Sequence, residues 1–287
     1  MIHHYVLTPE ELALLPTDEE IQFYQIHGYY HSKKIFTDEE IAAAIAGSER
    51  YYRGERDSTL AESIPGWQPE DGEVLRKNDY ASLRNRELTG LVRKPLLGAI
   101  AARLCGDSVR LWHDQLLYKP PSDPNRTANV GWHTDRGYWK TCTSEQMLTA
   151  WIPFHDCDEQ MGTITMIDQS HQWPDDLSTL DFFSHNLAAQ EEQLQKHGYQ
   201  LVKVPMNLRK GEVSFHHCRV IHGSGPNLTS QPRRSIAVHL QDASNRYREF
   251  STPDGKHAWH VNDRLVRQKD GLPDYTDPDF CPCLWCK

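Results

Sequence analysis

No run of eighteen apolar residues occurs in the 287-residue sequence, so no segment reads as a spanning helix. The opening residues, MIHHYVLTPEE, lack the apolar stretch of a secretory leader. Lys and Arg total 31 against 40 Asp and Glu, a net charge of −9, and no basic block interrupts that balance. Phosphate backbones are bound by clustered cations, so neither a nucleic-acid nor a membrane partner is expected. There is no Walker A loop, no Gly-x-Gly-x-x-Gly and no Gly-x-Ser-x-Gly elbow, which removes three common nucleotide-binding and hydrolase chemistries. The seven cysteines are an odd set, and three of them, Cys281, Cys283 and Cys286, crowd the end. They fit a reducing, cytoplasmic setting better than a disulfide framework. A zinc site there lacks an evident fourth ligand, so a flexible or packed tail is expected.

What is present is globular. Hydrophobic residues make up 38%, charged residues 25% and aromatics 10%. A chain of this length buries enough surface to need neither disulfide nor structural metal. Two capping boxes, Thr17 to Glu20 and Thr37 to Glu40, predict helices over 18–27 and 38–53, with a short strand near GYYHSKKI between them. Residues 54–76 read as a long loop, and 89–106 has helical spacing with Pro95 near its start. From about 108 onward, short β-branched and aromatic segments follow one another between Gly, Pro, Asn and Asp. One stretch, 175–198, reads as helical. The pattern predicts a mainly β barrel or sandwich flanked by N-terminal and inserted helices, with no composition break marking a second domain.

Three features carry chemistry. The first is Trp132-His133-Thr134-Asp135: on a strand, His133 and Asp135 share a face and can aim at one point. The second is a late segment holding His216, His217 and His222. Any of these brought beside the first pair completes two imidazoles and one carboxylate, the facial triad of non-haem Fe(II) oxygenases. The third is Pro232 to Leu240, where Ile236, Val238 and Leu240 form one strand face and Arg233, Ser235, Ala237 and His239 the other. A guanidinium beside a hydroxyl can grip a carboxylate, and an Arg inside a barrel is expensive without an anion. Arg234 faces the opposite way and reads as a surface charge. His155, His171 and His239 read as satisfied structural histidines.

Trp132-His133-Thr134-Asp135, the IHGSGPN segment and PRRSIAVH together resemble the phytanoyl-CoA dioxygenase family. The resemblance spans most of the chain, including HGYY and the WHDQLLYKPP stretch. It implies an Fe(II)- and 2-oxoglutarate-dependent oxygenase on a double-stranded β-helix of jelly-roll, cupin-like type. One domain over 1–287 is implied, with a helical flank over about 1–106, a core over about 107–243 and a tail over 244–287. The family's distal His precedes Gly-Ser-Gly, which selects His222 to join His133 and Asp135 as iron ligands. Arg233 matches the residue on the far carboxylate of 2-oxoglutarate, with Ser235 in support, and Gln115, Trp151 and Lys77 match further cosubstrate contacts. The implied reaction uses O₂, releases succinate and CO₂, and hydroxylates or otherwise oxidises a C–H of a small organic molecule. The carboxylate at position 135 argues against chlorination. The rival expectations are a zinc hydrolase or isomerase on the same triad, and a non-catalytic barrel that binds a carboxylate. The loop 54–76 and the insert 175–198 are expected to shape substrate access. No motif indicates an oligomeric state.

Overall fold

The computed structural model describes residues 5–123, 128–174, 180–252 and 254–286. Threonines open the first helices, α1 (Pro9–Leu12), α2 (Asp18–His27) and α3 (Asp38–Tyr52), each with a reciprocal capping box. At α2 the Thr17 hydroxyl accepts the Glu20 N–H at 3.2 Å while the Glu20 carboxylate accepts the Thr17 N–H at 2.7 Å. The single helix predicted over 89–106 is instead two, α4 (Arg86–Val92) and α5 (Pro95–Cys105). Pro95 lacks an N–H and drives Lys94 out of helical geometry, to φ −59° and ψ 122°, so the break falls just before it. Within the predicted helical insert only α6 (Leu187–Lys196) is helical; residues 180–186 are not, and 175–179 lie outside the described residues. A short α7 (Asn262–Leu265) follows near the end.

The described residues hold thirteen strands: β1 (Tyr29–His31), β2 (Arg76–Asp79), β3 (Val109–Lys119), β4 (Val130–His133), β5 (Leu148–Pro153), β6 (Thr165–Ile167), β7 (Lys203–Pro205), β8 (Ser214–His217), β9 (His222–Ser224), β10 (Arg233–Asp242), β11 (Gln268–Lys269), β12 (Leu272–Pro273) and β13 (Cys283–Trp285). The larger sheet has the order β1-β8-β5-β10-β3-β13, with β2 also on β3, and the smaller has the order β4-β9-β6-β7. Every pairing is antiparallel. Two antiparallel sheets with helices outside them form the jelly roll that the resemblance implies, within the barrel-or-sandwich class that the strand pattern predicts.

The period of two divides the larger sheet into unlike faces. Leu116, Leu148, Ala150, Ile152, Phe215, Ile236, Val238 and Leu240 are fully buried in one core with residues of α4 and α5, including Leu88, Leu96 and Ile100. Truncating one such leucine to alanine costs about 2–5 kcal/mol. The opposite face is polar. His216, Thr149, His239 and His113 are successive register partners across β8, β5, β10 and β3, so they form one row.

The smaller sheet approaches its neighbours through a glycine. The Gly131 N–H donates to the Phe182 carbonyl at 2.9 Å, and a Cβ at 131 would lie 2.0 Å from the Asp181 carbonyl oxygen. The C-terminal segment is packed, as one of the two expectations for it had it: β13 pairs with β3, and Leu284 and Trp285 pack against the main core. The expectation of unpaired cysteines is corrected at one place, because Cys283 and Cys286 form a disulfide; the other five are free. Among the described residues no helix is long and apolar enough to cross a membrane.

Candidate active site

His133 ends β4, His222 begins β9, and the ladder sets the two directly opposite. Asp135 is not on the strand, contrary to the expectation. The Thr134 hydroxyl accepts the Gly137 N–H at 3.2 Å and folds the chain into a 3₁₀ turn over Asp135–Gly137. The carboxylate still reaches the imidazoles: its Oδ1 lies 4.0 Å from His133 Nε2 and 3.8 Å from His222 Nε2. One ligand atom from each of the three lies within 4.8 Å of the others. Both Nδ1–H groups are committed elsewhere, His133 donating to the Gly131 carbonyl at 2.8 Å and His222 to the Val220 carbonyl at 3.0 Å. A carbonyl only accepts, so each Nδ1 carries the proton and each Nε2 lone pair faces the shared point. Burial pushes both imidazoles below their ordinary value, His222 well below, which keeps them neutral. Two neutral imidazoles and a carboxylate converging in a buried site fit a divalent ion that takes mixed nitrogen and oxygen ligands, iron(II) among them.

The other carboxylate oxygen is held from behind. Asp135 Oδ2 accepts the Thr149 hydroxyl at 2.5 Å and lies 3.3 Å from His216 Nε2. The Thr149 proton is thereby used, so its oxygen accepts the His239 Nδ1–H at 2.7 Å. Burial alone would raise the Asp135 carboxyl, but the imidazoles of His239, His222 and His216 outweigh it and hold it well below its usual range. Of the three late histidines only His222 joins the triad. His216 backs the carboxylate, and His217 accepts the Arg219 N–H at 3.2 Å. His155 and His171 are structural as expected, contacting the Arg234 N–H at 2.9 Å and the Gln25 carbonyl at 3.1 Å. His239 is the exception, because it orients Thr149 and lines the site itself.

From the triad an inner pocket runs between the sheets to Arg233, walled by Gln115, Trp151 and Ala237. Arg233 is 2% exposed, and no described carboxylate pairs with it. Its Nη1 donates to the Gly162 carbonyl and, at 3.4 Å, to the Ser224 hydroxyl; its Nε has no partner. The guanidinium carbon sits 5.4 Å from the centroid of the Trp151 ring. Lys119, the register partner of Arg233 on β3, is fully buried and donates to the Ser224 hydroxyl at 2.6 Å and the Gly225 carbonyl at 2.5 Å. Burial, with Arg233 beside it, pushes the Lys119 ammonium well below its ordinary value. A buried guanidinium costs several kcal/mol to desolvate when it lacks an anion, so the Arg233 end of the pocket suits one.

Sequence reasoning missed Lys119 and Ser224. Lys119 shares its strand parity with His113, Gln115 and Leu117, a signal that was available. Its nearness to Arg233 depends on strand pairing, which was not. Ser235 is buried on the Arg233 face with a partnerless Oγ, but the hydroxyl that touches Arg233 is that of Ser224. Lys77 stands apart from Arg233, with its Nζ 2.7 Å from Asp79, on a different cavity. Arg234 faces outward, 3.5 Å from Glu49.

That outer cavity, about 230 Å³, opens on the other side of His133 and Asp135. Its rim is aromatic: Tyr138, Phe183 and Trp259 are 45%, 64% and 58% exposed, with Trp139 and Phe182 deeper. Phe182 and Phe183 come from the insert, as expected, whereas lining from the long loop is absent and begins only at Lys77 and Asp79. The C-terminal segment supplies Trp259, His260 and Val261, a contribution the sequence reading did not foresee.

The family model for phytanoyl-CoA dioxygenase matches residues 24–235, a span that contains the triad, Lys119 and Arg233. Among curated proteins, the peroxisomal phytanoyl-CoA dioxygenase of Bos taurus is 23% identical over 91% of this chain and 79% of its own length. A probable α-ketoglutarate-dependent hypophosphite dioxygenase of Stutzerimonas stutzeri is 25% identical, over 77% of each chain. Among solved structures, a non-haem α-ketoglutarate-dependent carbocyclase of nogalamycin biosynthesis superposes with a TM-score of 0.64 at 26% identity, covering 81% of this chain and 87% of that one. With the matched span covering most of the chain and a triad in place for iron, this protein belongs to the phytanoyl-CoA dioxygenase family of Fe(II)- and 2-oxoglutarate-dependent oxygenases.

Proposed function

We propose that His133, Asp135 and His222 hold Fe(II), that Arg233 and Lys119 bind the far carboxylate of 2-oxoglutarate, and that the outer cavity takes a small organic substrate whose C–H is oxidised. The observation that carries the reading is the inner pocket itself, with the buried Arg233, which no described carboxylate pairs, at one end and a neutral-imidazole, carboxylate triad at the other. Fe(II), when bound with 2-oxoglutarate and O₂, supplies the C–H oxidation, with succinate and CO₂ as the other products.

The chain's own residues do the rest. Arg233 and Lys119, with the Ser224 hydroxyl between them, orient a dicarboxylate so that its other end meets the triad. Gln115 and Trp151 flank its length, and the Ser235 hydroxyl stands by. Thr149 and His216 hold Asp135 Oδ2 so that Oδ1 stays on the ligand point. The walls keep water from a charged cosubstrate, which strengthens each contact. A substrate in the outer cavity approaches the triad from the opposite side. Among the described residues Lys77, already paired with Asp79, is the only Lys or Arg lining that cavity. This supports a small molecule over an acyl-CoA, whose phosphates would call for cations. We also propose that residues 1–287 act as one catalytic domain, since β13 closes on β3 and Trp259 walls the cavity. That Cys142, Cys157, Cys218 and Cys281 are buried thiols, with only Cys283 and Cys286 paired among the described residues, supports a reducing compartment such as the cytoplasm.

The test is succinate release from 2-oxoglutarate under O₂. It is expected to require Fe(II) and to vanish in His222→Ala. Succinate release that persists in His222→Ala would overturn the ligand assignment. A zinc hydrolase on the same triad leaves the buried Arg233 unexplained, and a non-catalytic carboxylate binder would release no succinate.

A further inference from the structure

We propose that His113, His239 and His260 form a neutral hydrogen-bonding subsite in the outer cavity, which selects an uncharged, hydroxyl-bearing ring compound as the primary substrate. The proposal rests on the oxygenase reading and names the substrate class for the same site. His113 is 4% exposed, lines the outer cavity, and has no partner on either ring nitrogen. Its ring lies 4.4 Å from that of His239 and 5.0 Å from that of His260, centroid to centroid. A buried polar group without a partner is costly, so the bare nitrogens of His113 and the Nε2 of His239 on one cavity wall call for a ligand that satisfies them.

Proton bookkeeping shows what that ligand must offer. His239 donates its Nδ1–H to Thr149, so its buried Nε2 is a bare acceptor, and it has no partner. His260 Nδ1 accepts the Asn262 N–H at 3.2 Å, so its neutral ring carries the proton on Nε2. His113 offers one donor and one acceptor. Burial keeps His260 and His113 neutral, pushing His260 down to about 3 and His113 well below its ordinary value. A row that both donates and accepts without charge matches hydroxyl groups, which do the same. A carboxylate or phosphate would face the His239 lone pair with no cation to offset it, because Lys77 is spent on Asp79. The aromatic rim, with Trp139 inside and Trp259 at the mouth, suits the apolar face of a ring.

The test uses the Fe(II)- and 2-oxoglutarate-loaded chain without O₂ and follows tryptophan fluorescence. The probes are phenyl β-D-glucopyranoside, its glucuronide, and 2-phenoxytetrahydropyran, which keeps the skeleton without hydroxyls. The glucoside is expected to bind at least about tenfold more tightly than either relative. His113→Phe should erase that preference, whereas His113→Gln, which restores a donor and an acceptor, should keep most of it. If His113→Phe does not fold, His260→Phe on the outer wall carries the same expectation. No selection among the three probes, or a preference that survives in His113→Phe, overturns the subsite. The visible charge-transfer band of the 2-oxoglutarate chelate is read on the same wild-type sample. With the band present, a failed selection sinks only the subsite; with the band absent, the oxygenase reading fails.

Discussion

The inner pocket and the outer cavity meet at the same triad but are built from different material. The inner pocket is lined mostly by strands whose backbone is tied into ladders, and it ends at the buried Arg233. The outer cavity draws on a strand edge at Lys77, a turn at Tyr138, the insert at Phe182 and the C-terminal segment at Trp259. A fixed cosubstrate calls for rigid walls, and a substrate that differs from one family member to another calls for loops. The division also follows charge: the inner pocket is cationic at its far end, while the outer cavity presents neutral imidazoles and aromatic rings.

The sharpest way to break this comparison is to remove a charge from the inner pocket alone. Arg233→Leu is expected to raise KM for 2-oxoglutarate by about 100-fold, the loss of a buried charge-assisted pair. Arg234→Leu, next in the chain but facing outward, should change it less than about twofold. Similar effects from both would mean that the inner pocket does not hold the cosubstrate's carboxylate. A smaller effect tests the support behind the triad. Thr149→Val keeps the shape and removes the donor to Asp135, and Fe(II) affinity should fall about 10-fold to 100-fold in a metal titration. Unchanged affinity would show that the hydroxyl does not orient the carboxylate.

The smallest effect concerns the histidines that line the two spaces. His113, His133, His222, His239 and His260 are all pushed below the ordinary imidazole value by burial. As pH falls from about 6.5, the unfolded chain takes up protons that the folded chain refuses, so stability drops towards about 4, where folded His239 titrates. Asp114, raised by burial to about 6, and Asp263, also raised by burial, work in the opposite direction but are outnumbered by the lowered histidines. The Tm of the metal-free chain should therefore be lower at about pH 5 than at about pH 7.5, by roughly 2–4 °C for each kcal/mol lost. A flat profile would show that these imidazoles are wet rather than enclosed.

How much of this was legible follows the same division. A mainly β barrel or sandwich flanked by helices, the capping boxes at Thr17 and Thr37, and the alternation that turns Arg233 away from Ile236 were all readable, because periodicity and caps are local, while the jelly-roll topology came with the family resemblance. His133 and Asp135 were readable as a pair, though the reason offered, a shared strand face, gave way to a turn capped by Thr134. The residues themselves left His216, His217 and His222 open, since choosing among them takes knowledge of which strand pairs with β4. Lys119 and Ser224 were hidden for the same reason: they meet Arg233 through register, which no single segment encodes. Trp259 and His260 were invisible as site residues, because a segment of the tail folding back across some 120 positions to meet Trp139 leaves no periodic trace.

Gly131 gives the entrance a mechanical dependence. The Asp181 carbonyl rests against its bare α-carbon, and the next residue, Phe182, covers the ring of His133 at 4.9 Å between centroids. Even a single methyl group at 131 would act as a wedge, prising the Phe182–Phe183 gatepost away from the doorway while β4 held its place in the ladder. The aperture through which an organic molecule reaches the metal would then be governed by the smallest side chain in the neighbourhood.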